Sequence, residues 1–103
     1  MRAMLIEARR QAVGRGVSVA FEVDLHGRSF GLEGAVVQRM PADLQLRLDV
    51  AANELDSGRR ARIRFYPDGG ATGGSIDILR PGGGGARLRV DWLLGRVSQE
   101  PLS

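Results

Sequence analysis

At 103 residues the chain is long enough for one hydrophobic core and too short for two folded domains. It has no cysteine and a single histidine, which excludes a disulfide framework, thiolate chemistry and the usual cysteine or histidine metal centres. The formal charge of +3 rests on 15 basic residues, all arginine, against 12 acids; the two signs alternate along most of the chain, so no large single-sign block forms.

The first segment, Arg2 to Val13, has helical period. Met4, Leu5, Ala8 and Ala12 fall on one face, with Glu7, Arg10 and Gln11 opposite, and Gly14 offers a C-terminal stop. No capping residue precedes Arg2, so the segment reads as the late part of a longer helix. No run approaches the roughly 20 apolar residues that cross a bilayer, and no basic-then-apolar signal opens the chain.

From Val17 the period becomes two. Val17, Val19, Phe21 and Val23 alternate with polar or small residues, as in a strand with one buried face. A turn at His26 and Gly27 leads into Arg28 to Leu32, which pairs back with Phe30 and Leu32 inward. Ala35 to Arg39 is a weaker strand, interrupted at Pro41. Leu44, Leu46, Leu48 and Val50 then alternate with Gln45, Arg47 and Asp49, a register that cannot slip without burying charge. Further strands are expected around Ile63 and Phe65, Ile76 and Ile78, and Leu88, Val90 and Trp92, separated by glycine-rich loops at Pro67 to Gly74 and Pro81 to Gly85. Connections this short carry antiparallel pairing. The expected fold is α+β: one helix packed on about six or seven antiparallel strands in a single domain over 1–103, with helix at 1–14, a β-rich part at 17–97 and a tail at 98–103.

Catalytic chemistry has little to draw on. His26 stands in a turn with no oriented acid partner, and Ser29 is the nearest hydroxyl. Asp68, Asp77 and Asp91 match neither a calcium loop nor a defined carboxylate pair; Asp77 and Asp91, set between apolar strand residues, are expected to face solvent. The Gly69 to Gly74 run lacks the P-loop lysine and leads into a strand instead of a helix, so no phosphate cradle is expected. Arg59, Arg60, Arg62 and Arg64 have the spacing of a solvated strand face.

Two motifs carry a family resemblance. The stretch Ile63-Arg-Phe65-Tyr-Pro67-Asp68-Gly69-Gly-Ala-Thr72-Gly73-Gly74-Ser-Ile76 resembles the strand, turn and strand pattern of general secretion pathway protein H, the H-type minor pseudopilin. The ending Val90-Asp91-Trp92-Leu-Leu-Gly95-Arg96-Val97 is similar to that family's C-terminal signature, and Glu7 to Val13 followed by Val17 to Val23 to its junction of helix and first strand.

The resemblance implies a pilin-like fold and a structural role in the type II secretion pseudopilus, with other minor and major pseudopilins as partners. It implies no enzymatic activity, no cofactor and no metal. It also implies the periplasmic domain of a bacterial inner-membrane protein whose membrane helix lies upstream, so that the chain reads as an engineered soluble fragment, monomeric by itself. Within this frame Phe65 and Trp92 are expected to fill the sheet core, Asp68 to accept hydrogen bonds from turn amides, and Met4, Leu5, Ala8 and Ala12 to form the packed face of the assembly helix. The alternative is a FimT-like type IV pilus minor pilin that binds DNA through Arg59, Arg60, Arg62, Arg64, Arg87, Arg89 and Arg96. Against it, Gly95-Arg96-Val97-Ser98 lacks the second arginine of the DNA-binding pattern.

Overall fold

A computed structural model describes residues 1–56 and 60–102. Helix α1 spans Arg2–Arg15 and starts without a side-chain cap. It runs through Gly14 and stops at Gly16, whose left-handed backbone (φ 69°) lets its N–H reach the Ala12 carbonyl. The stop falls there because Gly16, unlike Gly14, adopts the left-handed conformation that ends a helix.

Among the described residues nine strands follow: β1 Val19–Asp24, β2 Ser29–Leu32, β3 Gln38–Arg39, β4 Gln45–Val50, β5 Leu55–Asp56, β6 Arg60–Phe65, β7 Gly74–Leu79, β8 Gly85–Val90 and β9 Val97–Leu102. A 3-10 turn, Ala52–Glu54, precedes β5. All pairings are antiparallel, in a five-stranded sheet ordered β3-β2-β1-β6-β5 and a four-stranded sheet ordered β4-β7-β8-β9. The expected α+β architecture is therefore present, with more strands than the six or seven anticipated.

The helix lies on the first sheet, mainly along β1, and also touches β9 of the second. Leu5, Ala8 and Ala12 are fully buried against a core that includes Phe21, Val23, Ile63 and Phe65 from one sheet and Ile76, Leu88 and Val90 from the other. Met4 completes the stripe at its half-buried margin. Phe21 and Phe30 meet as a tilted pair with centroids 6.2 Å apart. The alternation of β4 is as expected, with Leu46, Leu48 and Val50 half-buried against the core and Gln45, Arg47 and Asp49 exposed. Among the described residues, no helix is long and apolar enough to cross a membrane.

Several local expectations are corrected. The 98–103 tail is instead mostly strand β9, paired along the whole of β8 from Val90↔Val97 to Gly85↔Leu102. It is an edge strand with both faces largely exposed, so it has no apolar alternation to announce it, and Pro101 is tolerated because an edge can do without one ladder donor. Trp92 does not extend β8 into the core: the strand ends at Val90 and the indole is 67% exposed. Val17 precedes β1 and is exposed, and Arg28, with φ 54°, belongs to the turn before β2. Asp77, expected in solvent, is buried on the charged outer face of β7. The residue Arg59 lies outside the described residues.

Candidate functional site

The two motifs that are remote in sequence meet in space, where the loop 66–73 and the turn 91–96 close over the middle of α1. The first is shaped from within. Gly69 N–H donates to Tyr66 O (3.0 Å), Tyr66 N–H to Gly70 O (2.9 Å), and the Asp68 carboxylate accepts from Gly70 N–H (2.8 Å). Asp68 thus has the amide-binding role expected of it. Thr72 locks the exit: its hydroxyl accepts from Arg64 N–H (3.0 Å) while its own N–H donates to Arg64 O (2.8 Å). Phe65 is fully buried, Pro67 is exposed, and Gly73 and Gly74 bring the chain into β7.

The second turn is capped by Asp91, whose carboxylate accepts from Leu94 N–H (2.8 Å) and whose carbonyl accepts from Gly95 N–H (2.8 Å). Asp91 N–H in turn donates to Arg96 O (3.0 Å), and Val97 opens β9 opposite Val90. The loops are joined by Ala71 N–H donating to Trp92 O (2.8 Å). Arg9 ties both to the helix: its Nε donates to Leu94 O (2.9 Å), and its guanidinium packs beside Gly69 and Gly95. A Cβ on Gly95 would strike the Gly69 carbonyl, and both glycines have positive φ (94° at Gly69, 65° at Gly95), so the junction requires glycine twice. Arg9 carried no sequence signal beyond its helical phase at the border of the buried stripe.

This bound-down turn presents Trp92, Leu93 and Leu94 outward, 67%, 60% and 46% exposed. With every turn amide named above satisfied, the apolar side chains sit on a backbone that has little freedom to withdraw them.

The arginines of the alternative reading are largely neutralised. Arg60 faces Asp24 at 3.9 Å, Arg62 pairs with Glu22 at 3.0 Å, and Arg64 pairs with buried Glu54 at 3.1 Å, with Glu33 at 3.9 Å. Register produces this, because β1 and β6 oppose Glu22 to Arg62 and Asp24 to Arg60. Arg87 grips Asp77 through two bonds (2.6 and 2.9 Å) and Arg47 adds a third contact at 3.3 Å. The hydrogen bond from Arg87 is the chief reason the Asp77 carboxyl titrates below the ordinary range, and Arg47 acts in the same direction. Arg89 pairs with Glu100 at 2.5 Å. The side chain of Arg96 is exposed and meets no carboxylate among the described residues. His26 is exposed in the turn between β1 and β2. Among the described residues no three histidine or acidic side chains are grouped to hold a metal.

Comparison with known proteins places these features. The family described as Type II transport protein GspH matches residues 1–94. Type II secretion system protein H of Xanthomonas campestris pv. campestris is 33% identical over 102 residues, covering 97% of this chain and 59% of that protein, so the chain spans well under two thirds of its relative's length. In structure, the minor pseudopilin EpsH from the Type 2 Secretion System of Vibrio cholerae superposes with TM-score 0.74 at 12% identity, over 96% of this chain and 89% of that one. The type IV minor pilin FimU of Pseudomonas aeruginosa gives TM-score 0.66 at 19% identity, over 97% and 82%. Both likenesses establish the pilin-like fold.

Proposed function

The chain belongs to the Type II transport protein GspH family, and on that premise we propose that it is the globular part of a minor pseudopilin, a structural subunit of the type II secretion pseudopilus that supports protein export. The observation that carries the reading is the junction of the two family motifs over α1: its polar groups are spent on turns and on Arg9, which suits a rigid scaffold. Its partners are other minor and major pseudopilins, and the full protein reaches the inner membrane through an apolar helix continuous with α1, with this domain in the periplasm. By itself the domain is a monomer without enzymatic activity, and His26→Ala leaves its stability and assembly unchanged.

The test is isolation of the full-length protein from membranes. Co-purification with other pseudopilins of the same system is expected; full-length protein that never associates with them would overturn the proposal. The DNA-binding alternative is disfavoured by the ion pairs that occupy Arg60, Arg62, Arg64, Arg87 and Arg89. Duplex DNA should bind weakly, at roughly 10⁻⁴ to 10⁻⁶ M in physiological salt. Submicromolar binding abolished by Arg96→Ala would reverse that judgement.

A further inference from the structure

Cations gather at the end of the domain where α1 begins. β1 runs back along α1 from a short connection, so the turn between β1 and β2 returns to that end. There Arg28 donates to Pro41 O (2.8 Å) and Leu44 O (2.6 Å), tying the turn to the start of β4. Leu44 in turn lines a hollow of about 730 Å³ together with Arg2 from α1 and Arg80 from the hairpin tip after β7. Ile78, Ala86 and Pro101 give this hollow apolar walls. Farther along the same face of the second sheet Ile76, Leu88 and Val90 are buried in the core, whereas Ile78 and Ala86 are only half-buried.

The charge at this end is unbalanced. Arg2, Arg80 and Arg39, which lies opposite Ser29 beside Arg28, are exposed and meet no carboxylate among the described residues. Arg28 is held by carbonyls alone. The carboxylates here are mostly engaged: Glu100, which lines the hollow, pairs with Arg89, Asp24 accepts from Gly27 N–H (2.9 Å) and faces Arg60, and Asp56 faces Arg62. That leaves Asp43, exposed beside Leu44, against four arginines. Toward the other end Asp49, Asp68 and Asp91 offset Arg9, Arg15 and Arg96, so the excess of positive charge lies where α1 begins.

We propose that this end seats on an anionic lipid surface, with Arg2, Arg39 and Arg80 meeting head-group phosphates and the apolar walls of the hollow facing the glycerol backbone beneath them. The inference rests on the pseudopilin reading, in which a helix continuous with α1 enters the membrane and so turns this end toward the bilayer. It deepens that reading by assigning the lipid class and the residues that meet it. Exposed arginines are drawn to an anionic leaflet within about one Debye length, ~8–10 Å, and a planar guanidinium can take two phosphate oxygens at once.

The experiment sediments the domain with vesicles of phosphatidylglycerol and phosphatidylcholine, and with vesicles of phosphatidylcholine alone, at low and at physiological salt. Wild type should prefer the phosphatidylglycerol vesicles and leave them as salt rises. Arg2→Gln with Arg80→Gln should weaken that binding roughly twentyfold, about fivefold for each arginine removed. Arg15→Gln with Arg96→Gln takes the same charge from the opposite end and should weaken it less than about threefold, because those positions lie beyond the screening length. All four positions are exposed, and circular dichroism checks that the variants are folded. Equal losses in the two double variants would refute an oriented surface, since net charge alone would then explain the binding. Equal binding to both kinds of vesicle, or none to either, would refute the lipid surface while co-purification with other pseudopilins still supports the pseudopilin reading. Full-length protein that never associates with them would overturn that reading whatever the vesicles show.

Discussion

Replacing Gly95 by alanine tests whether the junction of α1 with the two loops holds the domain together. The left-handed backbone at Gly95 costs a residue with a Cβ roughly 1–2 kcal/mol. The added methyl also meets the Gly69 carbonyl and crowds the Arg9 side chain at 3.1 Å, so the turn must move away from the helix. The movement breaks the Arg9 bond to Leu94 O, worth about 0.5–1.5 kcal/mol. Together these predict a loss of about 1.5–3.5 kcal/mol, a large share of the roughly 5–15 kcal/mol that a domain of this size has. Gly14→Ala is the control: it lies within α1 with nothing inside 4 Å of a new Cβ, so it should stabilise by about 0.5 kcal/mol. Urea unfolding followed by far-ultraviolet circular dichroism reads both, with the Gly95→Ala midpoint lower by on the order of 1 M. A Gly95 variant as stable as wild type, or two glycine variants that shift alike, would refute the reasoning.

Leu5→Ala removes a fully buried side chain between helix and sheet and should cost about 2–5 kcal/mol in the same urea assay; a change below about 1 kcal/mol would mean that α1 is not packed as described. The carboxyls of Asp77, held low by Arg87, Asp24, held low by Gly27 N–H, and Glu7, held at about 2 by Arg10, all titrate below their ordinary values in the fold. Their contribution is present above the ordinary carboxylate range and is lost as pH falls through the folded values, so melting temperature should drop below about pH 4. Asp77→Asn should lower stability at neutral pH and flatten that acid limb, and parallel curves for variant and wild type would count against it. Trp92, the single tryptophan, should emit at long wavelength and be quenched by iodide almost as freely as a model indole; a blue-shifted, protected emission would show that it is buried.

Periodicity alone carried the strong elements. The stripe Leu5, Ala8, Ala12 and the alternations through β1 and β4 can each bury an apolar face in only one register, so helix, strands and fold class were legible before any coordinates. The turn at Asp68 and Gly69 was legible too, because turn chemistry is local, whereas Gly95 was named only through the family resemblance. What lacked a local signature was decided by tertiary structure. β9 exists because β8 offers it a partner edge, not because Val97 to Leu102 alternates. Asp77 is buried because Arg87 and Arg47, on strands either side of β7, neutralise it there, and the Arg62 and Arg64 pairs depend likewise on residues remote in sequence. Trp92 continues the alternation of β8 in sequence, yet the Asp91 cap turns the chain after Val90 and carries the indole outward. Sequence period determines which face a residue would take if its element continued; only the fold determines where the element stops.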